Sequence, residues 1–387
     1  MIAAEAPALF DVTSEQREIG NLAREIAERE IAPHIAAWDR EHRFPRELIT
    51  KLNAVGLMGI VVPERYGGAG ADYVSYALAV EELARVDAGT AVTLSVHAMI
   101  ASAIARLGTE EQKERYLPRL AVGDVIAGFA LTEPGAGSDA AALSSTARRD
   151  GDDYMLYGRK QWCTNGSFAG VTMGMFRTGA SGAKGVSAFL IERDTPGYVV
   201  EKVTEKLGIH TSNTCDIVFE GVRVPASAML GGEGTGFTMA LSALTAGRIG
   251  IAAQATGILA ACLDASVAFA RDREAFGRPI AAYEAISFKI AQMATDLDAS
   301  RLLVYRAASL CDRGLPFAIE ASKAKLFAST AARKHATEAV QIHGGYGYTT
   351  EFPVERYYRD AKITEIYEGT SEIQQMIIGR SLLGRYD

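Results

Sequence analysis

Glu368 lies in TEIYEGTSEIQ, between Tyr367 and Gly369. A glutamate on an open surface is a solvated acid. One walled in by isoleucine and tyrosine loses hydration, and desolvation raises its pKa toward a value suited to a general base. Two glycine-rich stretches bear on a second kind of chemistry. GAGSDA, residues 135–140, formally fits GxGxxA, but Pro134 precedes it and only ALSSTARR follows before a DG turn. The strand–turn–helix context of a dinucleotide fingerprint is therefore missing, although such a loop can still present backbone N–H groups to a phosphate or to flavin oxygens. HGGYGY, residues 343–348, carries Gly344, Gly345 and Gly347. It reads equally as a helix C-cap with a turn or as a site of close approach for a diphosphate. Arg271, Arg273 and Arg278 border EAFG, where arginines ordinarily form a solvated face.

Other chemistries find no support. The six histidines make no HExxH or close pair, and neither GxSxG nor a Walker A motif occurs. No metal site is expected. Cys163, Cys215, Cys262 and Cys311 are widely spaced, without CxxC, and read as small buried filler rather than a zinc or disulfide framework. With 40 Lys+Arg against 47 Asp+Glu, the 387-residue chain has a formal net charge of −7 and no long basic block, a poor match to nonspecific nucleic-acid binding. Its N-terminus, MIAAEAPALFDVTSEQRE, lacks the charged-then-apolar order of a secretory signal. Ile249 to Leu263 is broken by Gln254 and Thr256, so no membrane span is expected. Cytoplasmic residence is the expectation.

The elements that must position these residues change texture along the chain. After Ser14, read as an N-cap, apolar residues follow helical spacing up to Pro33, and a second helix fits Pro45 to Val55, closed by Gly56. VVPERYGGAGAD, 61–72, is a loop by its Pro and Gly content. Helical texture resumes over Tyr73 to Val86, over Thr90 to Leu107 and after Thr109. From Ile126 to about 226, short apolar runs (IAGFALT, YMLYGRK, GVTMGMF, GVSAFLI, YVVEKV, CDIVFEGVRVP) alternate with turn residues, which predicts antiparallel sheet in a barrel or sandwich. Long helices follow: Thr238 to Leu263, Leu263 to Arg273, Tyr283 to Cys311 and Phe317 to Ile342. The fold class read from this order is α+β multidomain. It comprises an N-terminal all-α domain (1–125), a middle antiparallel β domain (126–235) and a C-terminal four-helix bundle (236–387).

LTEPGAGSD (131–139) and QIHGGYGYTTEFPVERYYRDAKITEIYEGTSEIQ (341–374) resemble the two signatures of the acyl-CoA dehydrogenase family, in its short-/medium-chain or short/branched-chain type. AGRIGIAAQATGI (246–258) and REAFGRPI (273–280) also match, in order and spacing, over essentially the whole chain. The resemblance implies the same three-domain fold and one noncovalent FAD per subunit. It implies that Phe129, Leu131, Thr132 and Ser138 line the flavin, and that Trp162 and Thr164 pack on and hydrogen-bond to its ring system. Arg273 and Phe276 would reach the FAD of a neighbouring subunit, with Gln341, Gly344 and Gly345 serving the same shared site, and Thr370 and Glu372 would lie beside the cofactor. Ser138, Ser212, Arg248, Tyr367 and Gly369 match substrate-contacting positions. A dimer-of-dimers homotetramer, with electron-transferring flavoprotein as acceptor, is further implied.

Glu368 matches the catalytic base of the medium- and short-chain enzymes. In other branches the base comes from the residue before the arginine matching Arg248, and here that residue is Gly247. The implied reaction is α,β-desaturation of an acyl-CoA: Glu368 takes the α-proton, flavin N5 accepts the β-hydride, and the Glu368 N–H with a ribityl hydroxyl holds the thioester carbonyl. Two departures stand out. Glu284 replaces the family's glutamine, placing a carboxylate where FAD from the adjoining subunit is expected. His210, in KLGIHTSNT, replaces an arginine near the nucleotide end of the substrate. The second leaves open an acyl group borne on a carrier protein, or a branched one in a biosynthetic pathway. An oxidase-like enzyme and a catalytically silent flavin-binding subunit are the remaining alternatives. Preference for acyl length is expected to depend on cavity depth, with Val92 to Met99 as its floor.

Overall fold

Thr13 opens the first helix with a reciprocal capping box: its side chain accepts from the Gln16 N–H while Gln16 reaches back to the Thr13 N–H. The cap is thus one residue earlier than expected, because the pair Thr13/Gln16 satisfies two orphan donors where Ser14 would satisfy one. The computed structural model describes residues 12–384, so residues 1–11 of the N-terminal stretch read for a targeting signal lie outside the described residues. Helix α1 (Ser14–Ile26) runs into a π turn at Ala27–Ile31, then α2 (Ile35–Arg40) and α3 (Arg46–Ala54). Next come α4 (Tyr73–Val86), capped by Asp72, α5 (Ala88–Leu107), capped by Asp87, and α6 (Glu110–Ala121), capped by Thr109.

Eight strands form the middle sheet: β1 (Ile126–Ala130), β2 (Thr146–Asp150), β3 (Asp153–Thr164), β4 (Ala169–Arg177), β5 (Val186–Glu192), β6 (Tyr198–Val203), β7 (Thr214–Pro225) and β8 (Met229–Leu230). Their order is β6-β7-β3-β2-β4-β5-β8, with β1 beside β4. The expected antiparallel pairing holds for most of the ladder, but β1 runs parallel to β4, and β2 touches β4 in the same sense. The reason lies in β1, which enters from α6 and is pinned on α5. The His97 ring accepts from Ala127 N–H at 3.2 Å, and Asn165 Nδ2 donates to Thr93 O and Ala127 O, both at 3.1 Å. A polar-rich strand, β2, escaped the periodicity because its outer half, Arg148–Asp150, is exposed. Edge-to-face contacts of Phe176 with Phe219 and Tyr154 with Phe189, at 5.0 and 5.2 Å, fill the core of the sheet.

One 37-residue helix, α7 (Gly236–Asp272), replaces the two expected segments. Nothing between Leu263 and Arg273 breaks helical geometry, and Ser266 and Ala270 remain buried along it. A short hairpin, β9 (Glu274–Ala275) and β10 (Arg278–Pro279), leads to α8 (Glu284–Asp312), α9 (Ala318–His343), a 3₁₀ turn at Gly344–Tyr348, α10 (Val354–Ile363) and α11 (Ser371–Leu383). Against the sequence expectation, α5 and α7 are long and apolar enough to cross a membrane, each with a mean hydropathy of 1.5. Many small alanines raise the average without an unbroken apolar run, and 94% and 72% of those windows lie buried inside the protein. Both are core helices, and α4 packs on α7 and α8 to weld the first domain to the bundle.

Candidate active site

Helix α10 ends at Ile363, and the chain turns through Thr364–Gly369 before Thr370 caps α11 by accepting from Ile373 N–H. Glu368 and Gly369 occupy that turn with φ of +52° and +92°. Glycine tolerates this region, but a glutamate there carries backbone strain of about 1–2 kcal/mol. This backbone conformation sets the Glu368 side chain against α7. A Cβ added at Gly247 would sit 2.1 Å from Glu368 Oε2 and 2.9 Å from Met99 Sδ. Gly247 is therefore the space that the carboxylate occupies. Any side chain at 247 would have to displace the Glu368 carboxylate from this position.

The surroundings of this carboxylate are apolar or already engaged. Tyr76 donates to Ser95 Oγ at 2.9 Å, and a Cβ at Gly250 would run into both. The Tyr367 hydroxyl donates to Gln254, whose amide is in turn spent on Ala88 O at 2.7 Å. Glu368 Oε2 is buried without a hydrogen-bond partner. Burial lifts the Glu368 carboxyl to about 7, against the opposing pull of the Lys325 and Arg248 charges. Both cations are themselves buried, and among the described residues neither makes an ion pair. Lys325 Nζ donates to Gly369 O at 2.5 Å, and Arg248 reaches only Ser322 Oγ at 3.4 Å, leaving its Nε unpartnered.

The residues read as flavin-lining gather on a second patch, where β1 passes into the 131–139 loop beside β3. Gln161 N–H donates to Thr132 O at 2.8 Å, joining the two. Trp162 has φ of +57° and is 58% exposed, presenting an indole from a strand interior. Phe129 is half-buried in β1 and Thr164 ends β3, while Gly135 and Gly137 flank Ala136 with nothing within 4 Å of an added Cβ. Beneath it, Glu133 and Lys160 form a buried ion pair at 2.7 Å. An exposed aromatic face beside an open glycine loop fits a planar ring with anionic edges. Ser138 lies on this loop, and Ser212, buried with an unpartnered hydroxyl, follows the positive-φ residue Ile209.

A third patch holds Arg273, Phe276, Glu284, Gln341, Gly344 and Gly345. The Arg273 guanidinium lies 5.6 Å over the Tyr346 ring, and Phe276, with φ of +53°, is 97% exposed. Glu284 stands exposed at the first turn of α8, where the helix dipole favours a carboxylate. Among the described residues no contact joins this patch to Glu368. Thr370 and Glu372 lie instead on the Glu368 side, at the start of α11.

His210 is held differently from a substrate-facing residue. Its ring stacks on His42 at 3.8 Å, Nδ1 lies 2.9 Å from Asp39 Oδ1, and Nε2 lies 2.8 Å from Lys206 O. Arg359 adds its own pair to Asp39 at 2.6 Å. The substitution thus ties the 204–213 loop to α2 and α10, and the acid contact raises the histidine's pKa. Lys325, Gln374 and Gly250 escaped sequence reading. The signal for Lys325 was present: it falls on the α9 face bearing Ala321, Ala324, Ala328 and Ala332, where a charge is out of place.

Models of the acyl-CoA dehydrogenase N-terminal, middle and C-terminal domains match residues 13–124, 128–222 and 234–383. An acyl-CoA dehydrogenase of Bacillus subtilis is 51% identical over 96% of this chain and 99% of its own. The mitochondrial short-chain specific acyl-CoA dehydrogenase of Bos taurus is 47% identical over 94% and 89%. Among solved structures, butyryl-CoA dehydrogenase of Megasphaera elsdenii superposes with a TM-score of 0.95 at 45% identity, covering 97% of this chain and 99% of the other. A chain from the electron transferring flavoprotein structure of Acidaminococcus fermentans gives 0.96 at 46%, covering 97% and 100%. A Mycobacterium smegmatis glutaryl-CoA dehydrogenase in complex with FADH2 gives 0.92 at 34%, covering 97% and 96%. With all three domains matched and Glu368 seated in a pocket that Gly247 leaves open, this chain belongs to the acyl-CoA dehydrogenase family.

Proposed function

We propose that the protein is an FAD-dependent acyl-CoA dehydrogenase that converts a short-chain acyl-CoA to its trans-2-enoyl thioester, with Glu368 as the base. The observation that carries this reading is the unpartnered, buried Glu368 carboxylate, held near neutrality by the opposition of burial and two cations. A base is most effective when its pKa lies near the working pH. Phe129, Leu131, Thr132, Ser138, Trp162 and Thr164 would hold the isoalloxazine, and Thr370 and Glu372 would border it. Arg273, Phe276, Gln341, Gly344 and Gly345 would serve a neighbouring subunit's cofactor, with Glu284 at the edge of that site. FAD, when bound, supplies a hydride acceptor for the substrate β-carbon.

The chain's own part is to hold and deprotonate. Glu368 would accept the α-proton at its free Oε2, and its backbone N–H would hold the thioester carbonyl as negative charge develops. Tyr367, Gly369, Ser138, Ser212 and Arg248 would border the substrate. Engagement of Tyr76, Ser95, Tyr367 and Gln254 with one another leaves few polar groups to hydrate the acyl chain. The exposed Phe276 and the distant third patch support a homotetramer built as a dimer of dimers. Electron-transferring flavoprotein as acceptor and a cytoplasmic setting complete the reading. His210 is held by Asp39, so it presents no free cation in place of the arginine, and an acyl group borne on a carrier protein stays the second reading.

An anaerobic titration with acyl-CoAs from C4 to C12, with isobutyryl, 2-methylbutyryl and isovaleryl thioesters, tests this. Bleaching of the flavin band at about 450 nm by the short members is expected. In Glu368→Gln the flavin and ligand binding persist, while reduction slows by about 10²–10⁴-fold. Normal reduction in that variant would overturn the assignment of the base.

A further inference from the structure

Lys325 is one of the largest fully buried side chains of the protein, on a helix face otherwise lined by alanine. Its ammonium is spent on neither solvent nor an acid. It donates to Gly369 O, which also accepts from Gln374 Nε2 at 2.9 Å. Two donors thus converge on the carbonyl immediately after Glu368, where φ is positive at two successive residues. A backbone held in this region needs its surroundings to over-determine it. Gln374 stands on α11 and Lys325 on α9, so the turn is clamped from two helices.

The clamp also delivers a charge. A lysine paired directly to Glu368 would capture the carboxylate and remove it from proton transfer. A lysine committed to the neighbouring carbonyl leaves Oε2 free while its positive charge remains beside the acid. We propose that Lys325 is the positioning residue of this site, fixing the 368–369 turn through Gly369 O and keeping Glu368 ionised without engaging its carboxylate. This rests on the reading of Glu368 as the base. The other groups facing the pair are Arg248 on α7, Tyr76 on α4, Tyr367 beside Glu368, and Glu365 and Glu372 on either side of the turn. Burial drives both tyrosines upward, away from neutral pH.

The test uses the FAD-loaded enzyme and compares Lys325→Met with Gln374→Leu. The first removes donor and charge, the second a donor to the same carbonyl with no charge. Two readouts are taken: the pH profile of kcat/KM with butyryl-CoA, and the infrared carboxylic-acid band of Glu368 without substrate, identified by its loss in Glu368→Gln. In Lys325→Met the acid limb and the infrared midpoint move up together by about one pH unit, and activity at neutral pH falls about fivefold. Lys325→Arg returns the midpoint toward that of the parent. Gln374→Leu lowers kcat with the midpoint unmoved.

An unmoved midpoint in Lys325→Met, or an equal shift in Gln374→Leu, overturns the proposal while leaving Glu368 as the base. Full activity in Glu368→Gln overturns both. Where Lys325→Met does not fold, the parent enzyme decides. Its Glu368 carboxylate band is expected to shift a second time near pH 8, where burial places the loss of the Lys325 proton. A carboxylate band flat from about pH 7 up to about 11, past the ordinary lysine range, overturns the proposal.

Discussion

Glu133 and Glu368 each neighbour a fully buried lysine, Lys160 and Lys325 respectively. Glu133 accepts from Lys160 Nζ at 2.7 Å, from Ser144 N–H at 2.6 Å, from Ser144 Oγ at 2.7 Å and from Ser145 N–H at 2.9 Å. Burial alone would raise this acid, yet the lysine and the donors hold it down to about 2. Glu368 has an unpartnered Oε2, its lysine is turned to a backbone carbonyl, and burial lifts it to about 7. A glutamate beside a fully buried lysine is a permanent anion in one place and a proton acceptor in the other. Direct contact with the lysine charge, joined by donors that saturate the carboxylate, holds Glu133 down, whereas Glu368 Oε2 has neither. The first glutamate locks the loop under the aromatic platform, and the second is left free to react.

Breaking the saturated pair has the largest expected consequence. Lys160→Met strands a buried carboxylate and should cost about 3–5 kcal/mol, read as a lowered denaturation midpoint. Adding Glu133→Gln should recover part of the loss. A Lys160→Met protein of parental stability would show that this pair is not the lock described. Filling the free site comes next. In Gly247→Ala the added methyl meets Glu368 Oε2, and the displaced base should lower kcat about 10–100-fold with little change in flavin content. Unchanged turnover would mean the carboxylate works from another position.

The smallest effect sharpens the contrast through pH. Activity should fall as pH drops through about 7, because protonated Glu368 cannot accept a proton. The folded-state pKa of Glu368 lies above the ordinary value of 4.5, so folding disfavours its charged form. The resulting destabilisation is absent at acid pH and reaches its full size above about 7. Glu368→Gln should therefore raise Tm by about 1–3 °C at pH 8 and not at pH 4. A gain of the same size at both values would remove the ionisation argument. Glu133→Gln should do the opposite, losing stability at pH 8, because its folded pKa is depressed.

The order helices, sheet, helices was legible from local pattern, as were the long bundle helices and the start at Thr109, while the caps at Asp72 and Asp87 went unread. Periodicity records which face of an element is buried, and caps record where backbone donors need partners. The continuity of α7 across Leu263 and the parallel seating of β1 were not legible, since contacts with α4, α5 and α9 decide them. Glu368 was identifiable from TEIYEGTSEIQ and its family signature. Its free oxygen was not, because that depends on Gly247 being 121 positions earlier in the chain yet in contact across α7. His210 shows the reverse. Its replacement of an arginine was visible, but its commitment to Asp39 and stacking on His42 appear only when α2, α10 and the 204–213 loop converge.

The sequence by itself determined the residue types available for chemistry, the succession of elements and the family they belong to. Tertiary structure alone decided which of two buried glutamates keeps its lysine. Hydrogen-bond geometry does not follow from spacing along the chain. It follows from which backbone carbonyl lies within reach of an ammonium once three helices have packed, and here that carbonyl belongs to Gly369.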